Sequence, residues 1–296
     1  MRKTIKKIGV IALATMMTVS FATGCKKKTS EGFDKNTAIS VITREEGSGT
    51  RGAFIELFGI EEKNAEGQKV DNTTSKASVN NSTSTVLVTV AGNKYAIGYV
   101  SLGSLNNTVK ALKIDGAQAT TENINNGTYK ISRPFNIATK GTVSDVTTDF
   151  INYIMSAEGQ KIVEDAGYIK VSDKAEFTSN GATGTIKIEG STSVTPVMEK
   201  LAEAYQKVNT GAKIEINPND SSTGMSAVAD GLCDIGMASR DAKDSELEKG
   251  VEPLVIAMDG IAVIVNKECE ADGLTAEQVK SIYTGNAEKW SDVIGK

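Results

Sequence analysis

Short runs of β-type residues alternate with amphipathic helical segments along most of this chain, and this alternation restricts the fold more than any other feature. Strands are predicted at residues 39–42, 95–100, 112–114, 185–188, 213–216, 254–256 and 261–265. Helices are predicted at residues 53–58, 149–155, 160–163, 196–207 and 276–283, with a short one ending near residue 231. The polar stretch 61–84 is predicted as surface loops with one helix start near Ser82, and the polar stretch 171–184 is predicted as a linker. The alternation predicts an α/β architecture with parallel or mixed sheets.

The composition favours a folded protein and argues against several common classes of enzyme. The 296 residues are 39% hydrophobic, enough for one large or two medium domains with a substantial core. The sequence contains no histidine, so the commonest general base, the commonest metal ligand and the Ser-His and Cys-His nucleophile pairs are missing. We therefore expect no enzymatic activity, no metal and no other cofactor, although an enzyme of a less familiar design stays possible at this point.

The N-terminus has the pattern of a bacterial export signal. Basic residues cluster at residues 2–7, and residues 8–21 form an apolar stretch that is short for a membrane span. Small residues then end in Cys25, as in a lipobox. We predict a lipoprotein signal peptide at residues 1–24, a lipid on Cys25 and a tether at residues 25–38, which would hold the chain at the extracytoplasmic face of the cell membrane. An ordinary signal peptide with a chance cysteine is the alternative.

Charge and cysteine content limit the partners. Without residues 1–24 the chain keeps 29 basic and 37 acidic residues, a net charge of −8. This charge argues against nucleic acid or an anionic membrane surface as the main partner. Beyond Cys25 only Cys233 and Cys269 remain, and two cysteines make no disulfide framework. We predict small buried thiols, with one disulfide between them as the alternative in an exported protein.

Three turns that lead from a strand to a helix carry the same small and hydroxyl residues. They are Gly47-Ser-Gly-Thr50, Gly190-Ser-Thr-Ser-Val-Thr-Pro196 and Asp220-Ser-Ser-Thr-Gly-Met225. The start of a helix offers unpaired N–H groups and a positive dipole end, and glycine lets a ligand approach closely. Hydroxyl groups add rotatable donors, so such turns can bind a tetrahedral oxyanion. Arg44 would add a charged fork beside the first turn, with Glu46 close in sequence to fix its orientation.

Plain helix capping is the alternative for each of these turns, because Ser and Thr are common N-cap residues. Three such turns in one chain, together with Arg44, favour anion binding over capping. None of them matches the nucleotide-binding patterns G-x-x-x-x-G-K-[ST] or G-x-G-x-x-G, so a nucleotide site is not predicted.

These motifs resemble one family, the phosphate-binding proteins of bacterial ABC transporters (PstS-like proteins). The segments that carry the resemblance are residues 44–51 (REEGSGTR), 96–102 (AIGYVSL), 126–135 (NGTYKISRPF), 156–160 (SAEGQ), 190–194 (GSTSV), 234–240 (DIGMASR), 259–266 (DGIAVIVN) and 274–290 (LTAEQ to Trp290). The resemblance covers nearly all of residues 39–296. It implies a two-lobe periplasmic-binding-protein (Venus-flytrap) fold with mixed sheets, whose α/β lobes close about a hinge on a small anion.

The order of the motifs differs from the usual order in that family. There the Gly-Ser-Thr-Ser turn normally opens the mature protein, whereas here residues 39–170 resemble the family's second part and residues 185–296 its first part. The chain therefore resembles a circular permutation in which residues 171–184 join the family's original ends. A chimera of two half-proteins is the weaker alternative, because each motif occurs once and together they make one full set.

Matched by position to the family, the chain divides into two lobes at a hinge. Residues 39–132 plus 259–296 would form lobe A, which carries the first turn. Residues 133–258 would form lobe B, which carries the other two turns. The chain would cross between the lobes near Arg133-Pro134 and Asp259, and Asp259 would either approach the site or serve as a turn or cap residue.

The resemblance also implies a set of anion-binding residues. They are Arg44, Ser48, Gly49 and Thr50 from lobe A, and Thr192, Ser193, Ser221 and Ser222 from lobe B. Some family members have an aspartate after an Ala-Ser pair, where it accepts the proton of phosphate and so excludes sulfate. Here Ser239 is followed by Arg240 and Asp241. We expect Arg240 to be a second cationic ligand, with a surface ion pair as the alternative. The carboxylate that accepts the proton of phosphate would then be Asp241, Glu45 or Glu46, or the site would have no such carboxylate.

The function implied is that of a lipid-anchored receptor that captures inorganic phosphate and delivers it to the permease subunits of an ABC importer. We expect a monomer that makes and breaks no covalent bond. The alternatives are a binding protein for another tetrahedral oxyanion such as sulfate, and a phosphate sensor or adhesin without a role in transport. A phosphatase is disfavoured because the sequence offers no nucleophile next to a plausible base.

Overall fold

A computed structural model describes residues 32–295 of the chain. The predicted signal peptide and Cys25 lie outside these residues. Within them, no helix is both long enough and apolar enough to cross a membrane.

Strands and helices alternate along the described part of the chain. The strands are β1 (Ser40–Arg44), β2 (Glu61–Lys63), β3 (Lys69–Asp71), β4 (Ser78–Asn80), β5 (Ala96–Ser101), β6 (Val109–Ala111), β7 (Lys113–Ile114), β8 (Ser132–Lys140), β9 (Gly184–Ser191), β10 (Ala212–Asn219), β11 (Ile235–Ala238), β12 (Val251–Asn266) and β13 (Gly273–Leu274). The helices are α1 (Gly49–Leu57), α2 (Thr83–Gly92), α3 (Thr121–Asn125), α4 (Asp145–Ile154), α5 (Ala157–Asp165), α6 (Thr195–Val208), α7 (Ser221–Ala229), α8 (Asp244–Leu247) and α9 (Ala276–Tyr283). The predicted α/β alternation is confirmed.

Two details of the predicted pattern were wrong. Residues 61–84 hold three short strands, β2 to β4, where surface loops were predicted. These strands are mostly exposed and charged, so they lack the apolar alternation that marks a strand in a sequence. The strands predicted at residues 254–256 and 261–265 are parts of one strand, β12, because Asp259 faces Arg133 of a neighbouring strand and the strand continues through the apparent turn.

A mixed sheet joins most of the strands in the order β10-β9-β11-β8-β12-β5-β1-β4, with β6 also beside β12. The pairs β10–β9, β11–β9, β1–β5 and β1–β4 are parallel, whereas β8 and β12 pair antiparallel with their neighbours. Parallel strands place their carboxyl ends at one edge, and in such sheets ligands bind beyond that edge.

Hydrophobic side chains form separate cores toward the two ends of β12. One core draws on residues between 41 and 131 and between 261 and 293, around Phe54, Tyr99 and Trp290. A second core and a small third one draw only on residues between 135 and 257. The chain passes from the first core to the others in β8 and returns in β12, so the described residues form two lobes. They are called the first and the second lobe below.

Cys233 and Cys269 are free, buried thiols that belong to different cores. The prediction of small buried thiols is confirmed, and the alternative of a disulfide between these two residues is not.

The segment between α5 and β9 has no strand or helix from residue 171 to residue 183, as its polar composition predicts. It is nevertheless fixed by side chains of α4, α5 and α6. Asp149 of α4, which is 3% exposed, accepts hydrogen bonds from Ser179 Oγ (2.7 Å), the N–H of Asn180 (2.9 Å) and Tyr205 Oη (2.9 Å). Gln160 Oε1 accepts the N–H of Val171 over 2.8 Å. One buried carboxylate therefore fastens the segment to two helices.

We expect Asp149→Asn to lower the free energy of unfolding at pH 7 by about 1–3 kcal/mol, because an amide cannot accept all of these hydrogen bonds. Burial opposes ionisation of Asp149, but the hydrogen bonds outweigh it and lower its pKa below the ordinary 3.8. A lowered pKa stabilises the fold above the unfolded value, and this contribution is lost as the pH falls through the folded value. The gap between wild type and variant should therefore shrink below about pH 4.

Urea unfolding at pH 7 and pH 3.5 measures this difference. Asp165→Asn is the matched control, because Asp165 is exposed and pairs with Lys161 one helical turn away. Its effect should stay within about 0.5 kcal/mol. Equal losses for the two variants would show that Asp149 does not fasten the segment.

Candidate functional site

The starts of three helices and one further turn meet where the two lobes touch. α1 begins at Gly49 and α2 at Thr83 in the first lobe, while α7 begins at Ser221 in the second lobe. Residues 191–194 form the turn that leads from β9 into α6. Each start presents backbone N–H groups that have no partner within their own helix. The meeting point is therefore rich in hydrogen-bond donors.

The observed helix caps show which of the predicted hydroxyl residues serve as caps. Ser48 caps α1, because its side chain accepts the N–H of Arg51. α7 is capped by Asp220, whose side chain accepts the N–H of Thr223. α6 has no side-chain cap at all. Among the predicted binding hydroxyl residues, Ser48 thus caps a helix, whereas Thr192, Ser193, Ser221 and Ser222 cap neither α6 nor α7.

Hydrogen bonds join the two lobes directly at these turns. Thr50 Oγ1 lies 2.8 Å from Ser193 Oγ, and the N–H of Gly49 donates to Ser221 Oγ over 3.2 Å. The N–H of Ser222 donates to the carbonyl of Gly47 over 3.2 Å. The first predicted turn therefore lies against the second and the third, although more than 140 residues separate them in sequence.

Two backbone N–H groups, one from each lobe, point at the same oxygen atom. Ser221 Oγ accepts the N–H of Gly49 and, over 3.1 Å, the N–H of Ser239. Ser239 Oγ in turn lies 3.0 Å from Ser191 Oγ and 3.3 Å from Ser221 Oγ. These side chains are almost fully buried. Such a set of convergent donors suits an oxygen atom that carries negative charge.

Gly49 makes this approach possible. A Cβ atom at this position would lie 2.5 Å from Ser221 Oγ and 2.8 Å from Ser239 Oγ, closer than any side chain allows. A larger residue would push α1 away from α7 and break the contact between the turns. The requirement for glycine here concerns space rather than backbone conformation.

Arg44 lies at the end of β1 and is buried, with 2% of its surface exposed. Its Nη2 atom donates to Thr192 Oγ1 over 3.2 Å, and its Nη1 atom donates to Thr83 Oγ1 over 3.4 Å. Glu45 accepts from Nε and Nη2 at 2.8 Å and 2.7 Å. Glu45 thus covers one edge of the guanidinium group, while Nη1 and part of Nη2 face the hydroxyl groups.

The predicted orienting role of Glu46 is wrong. Glu46 is exposed, and the carboxylate that holds Arg44 is its sequence neighbour Glu45. The two positions were hard to separate in the sequence, because residues after a strand end leave the alternation of the strand and can point in either direction. Asp241 is exposed as well, and its carbonyl, not its carboxylate, accepts a hydrogen bond from Arg240.

Arg240 follows β11 and is held by Glu246 of α8. Nη1 and Nη2 donate to the two carboxylate oxygens over 2.9 Å and 2.7 Å, and Nη2 also reaches Ser222 Oγ at 3.3 Å. Burial opposes ionisation of Glu246, but hydrogen bonds from Arg240 and the N–H of Lys243 outweigh it and lower its pKa. Arg240 therefore forms an ion pair with Glu246, as one alternative predicted, and it also contacts Ser222 beside the candidate site, so the two predicted roles do not exclude each other.

The structure brings all the predicted binding residues together and adds several that the sequence did not indicate. The additional residues are Thr83, Ser239 and Glu246, while Glu45 and Ser191, which belong to the predicted segments, contact Arg44 and Ser239. A helix start near Ser82 was predicted, and the DIGMASR motif contains Ser239, but no pattern linked either of them to the turns. Their contacts are long-range, and only the fold creates them.

Chemically, the site combines many neutral donors with two arginines, each paired with its own carboxylate. The local charge is therefore close to balanced, and binding must depend on directed hydrogen bonds in a region away from water. Among the described residues, no group of three or more His, Cys, Asp or Glu side chains is arranged to hold a metal ion. The arrangement favours a small oxyanion with acceptors in several directions.

Comparison with known proteins assigns the family. The model of the PBP superfamily domain matches residues 3–158 and 175–296. The chain is also 52% identical to phosphate-binding protein PstS 2 of Streptococcus agalactiae, over 97% of this chain and 98% of the relative. The chain belongs to the PstS family of the PBP superfamily.

Other relatives of this PstS-family chain match it over different lengths. The crystal structure of a phosphate-binding protein of a phosphate ABC transporter from Streptococcus pneumoniae is 43% identical, with a TM-score of 0.69, and the match covers 87% of this chain and 100% of that chain. The phosphate-binding protein PstS of Staphylococcus aureus is 37% identical over 120 residues, which are 38% of this chain and 37% of that relative. The predicted two-lobe fold is confirmed by the family and by the S. pneumoniae structure.

Proposed function

We propose that this chain captures inorganic phosphate outside the cell membrane and delivers it, as a monomer, to the permease subunits of an ABC importer. The observation that carries the proposal is the meeting of Arg44 with hydroxyl and N–H donors from both lobes. The full-length relatives support it, since they are named as phosphate-binding proteins and not as enzymes. No covalent chemistry is needed for this function.

The proposed binding set consists of groups that lie at the contact between the lobes. It comprises Arg44, Ser48, Gly49, Thr50, Thr83, Thr192, Ser193, Ser221, Ser222 and Arg240. Hydroxyl groups now bonded to one another, such as Thr50 and Ser193, can rotate and donate to phosphate oxygens. The N–H groups of Gly49 and Ser239 would serve a phosphate oxygen at the place of Ser221 Oγ. Because both lobes donate, the anion would stabilise the closed arrangement and thus signal occupancy to the permease.

The carboxylates at this site bear on discrimination between phosphate and sulfate. Glu46 and Asp241 are exposed, while Glu45 and Glu246 accept hydrogen bonds from the two arginines. Glu45 is therefore the carboxylate we favour for contact with the proton of phosphate, since it is bonded to Arg44. Without such a contact the site would accept sulfate as well, and a receptor for another tetrahedral oxyanion is the alternative function.

Phosphate should raise the melting temperature of the purified protein, since a ligand at 100 times its Kd adds about 2.7 kcal/mol to the folded state. Arg44→Ala should abolish this shift, because it removes the charged donor shared between the lobes. Lys161→Ala is the matched control: it removes one positive charge from an exposed position and should keep the full shift.

Sulfate is tested in parallel with phosphate by calorimetry. Binding of phosphate alone supports the proposal. If sulfate binds and phosphate does not, the phosphate assignment is wrong and the alternative oxyanion function replaces it. Circular dichroism of Arg44→Ala establishes that the variant is folded.

We further propose that Cys25 carries a lipid that anchors the chain to the membrane. The apolar segment and the Gly-Cys25 sequence support this proposal. In a bacterial host, Cys25→Ser should move the protein from the membrane fraction to the soluble fraction and abolish incorporation of labelled palmitate. Cys233→Ser, which changes a buried thiol inside the fold, should leave both unchanged. A palmitate-labelled Cys25→Ser protein would disprove the anchor.

A circular permutation relative to other PstS proteins is also proposed, with lobe A at residues 39–132 plus 259–296 and lobe B at 133–258. The match to the S. aureus relative covers little more than a third of each chain, as expected when the two parts occur in opposite order. The N–H of Ile39 donates to the carbonyl of Glu288 over 2.8 Å, so the proposed new ends lie side by side.

A rearranged gene tests the permutation. It would encode residues 185–295, a short Gly/Ser linker and residues 39–170, which restores the family order and omits residues 171–184. We expect this protein to fold and to bind phosphate within about threefold of the original Kd, because the site contacts do not depend on chain order. An unfolded product, or one that folds and has lost binding, would argue against the permutation.

A further inference from the structure

A buried ion pair lies where the chain crosses between the lobes. Arg133 of β8 and Asp259 of β12 are opposite each other in the antiparallel register. Arg133 Nη2 donates to Asp259 Oδ2 over 3.1 Å, and the two side chains are only 2% and 0% exposed. The pair therefore lies on the two strands that must bend when the lobes move apart.

Groups from both lobes surround this pair. From the first lobe, Ser101 Oγ donates to Asp259 Oδ1 over 2.9 Å. From the second lobe, Tyr168 reaches across to Gly103, where an added Cβ atom would lie 2.2 Å from its ring. Ile169, next to Tyr168, exchanges two hydrogen bonds of 2.9 Å with Met258. A rotation of one lobe against the other must therefore change the surroundings of the pair.

Arg133 is incompletely paired while the lobes are in contact. Its Nε and Nη1 atoms have no hydrogen-bond partner among the described residues. A buried donor without a partner opposes the arrangement that buries it, and so does the desolvation of the ion pair itself. Burial also raises the pKa of Asp259 to about 6, against the opposing effect of Arg133. The closed arrangement is thus disfavoured at the hinge.

We propose that the Arg133–Asp259 pair sets the balance between open and closed lobes, by making closure unfavourable unless an anion occupies the site. Opening the lobes exposes the unpaired donors of Arg133 to water and removes this opposition. Binding of the anion supplies the hydrogen bonds and charge that closure otherwise lacks. Arg133 and Asp259 are then positioning residues that affect affinity without touching the ligand. The effect on affinity rests on the proposed function, whereas the effect on lobe spacing does not.

The experiment compares the full chain with two variants that remove the unpaired donors. Arg133→Met leaves Asp259 to be neutralised by a proton, and Arg133→Met with Asp259→Asn removes both charges directly. Fluorophores at Val88→Cys and Leu232→Cys, both exposed and on different lobes, report the lobe spacing by energy transfer. Lys161→Met with Asp165→Asn makes the same chemical change at an exposed pair within one lobe and serves as the control.

Without ligand, both hinge variants should have a shorter label distance than wild type, close to the distance that wild type reaches with phosphate. Their Kd for phosphate should be about 3–10-fold lower, because less binding free energy is used to close the lobes. The control should match wild type in both measurements. If the ligand-free distance of the hinge variants is unchanged or longer, the proposal is overturned. If wild type fails to bind phosphate, the proposed function fails, while the ligand-free distances still decide the hinge proposal.

Discussion

The close approach of two helix starts at Gly49 is the contact on which the rest of the site depends. Because no Cβ atom lies between α1 and α7, backbone N–H groups from both lobes reach one oxygen atom, Ser221 Oγ. Two further contacts join the lobes beside this point: Thr50 reaches Ser193, and Arg44 reaches Thr192. At the proposed site the donors of both lobes converge only when the lobes are together, so recognition and closure would be one event.

Charge in this region is balanced within each lobe rather than between them. Arg44 is paired with Glu45 in the first lobe, and Arg240 is paired with Glu246 in the second lobe. If either arginine had its carboxylate on the opposite lobe, an ion pair could close the lobes without a ligand. With the charges satisfied locally, the contact between lobes consists of weaker hydroxyl and amide hydrogen bonds, which a charged oxyanion can replace with stronger ones.

The sequence allowed prediction of the turns that meet between the lobes through local chemistry, and failed where distant residues decide. The turns around Ser48, Ser193 and Ser221 follow strands directly, so periodicity and turn composition located them. Thr83 and Glu246 come from segments without such a signal, and their roles arise from contacts that only the fold creates. The same reason explains why β12 was predicted as two strands, since Asp259 continues the strand only because Arg133 of β8 lies opposite.

Arg133 and Asp259 also connect the proposed chain order to the proposed hinge. The proposed hinge needs β8 and β12 to be neighbours in the middle of the sheet. It does not need the other segments to follow one another in a particular order along the chain. Residues 39 and 288 are hydrogen-bonded at one end of the first lobe, and residues 171–183 are fastened to the second lobe by Asp149. Each connection lies within one lobe, the first in the first lobe and the second in the second lobe. Cutting or joining the chain there would leave the β8–β12 pair unchanged, so the proposed permutation is compatible with the proposed closing motion.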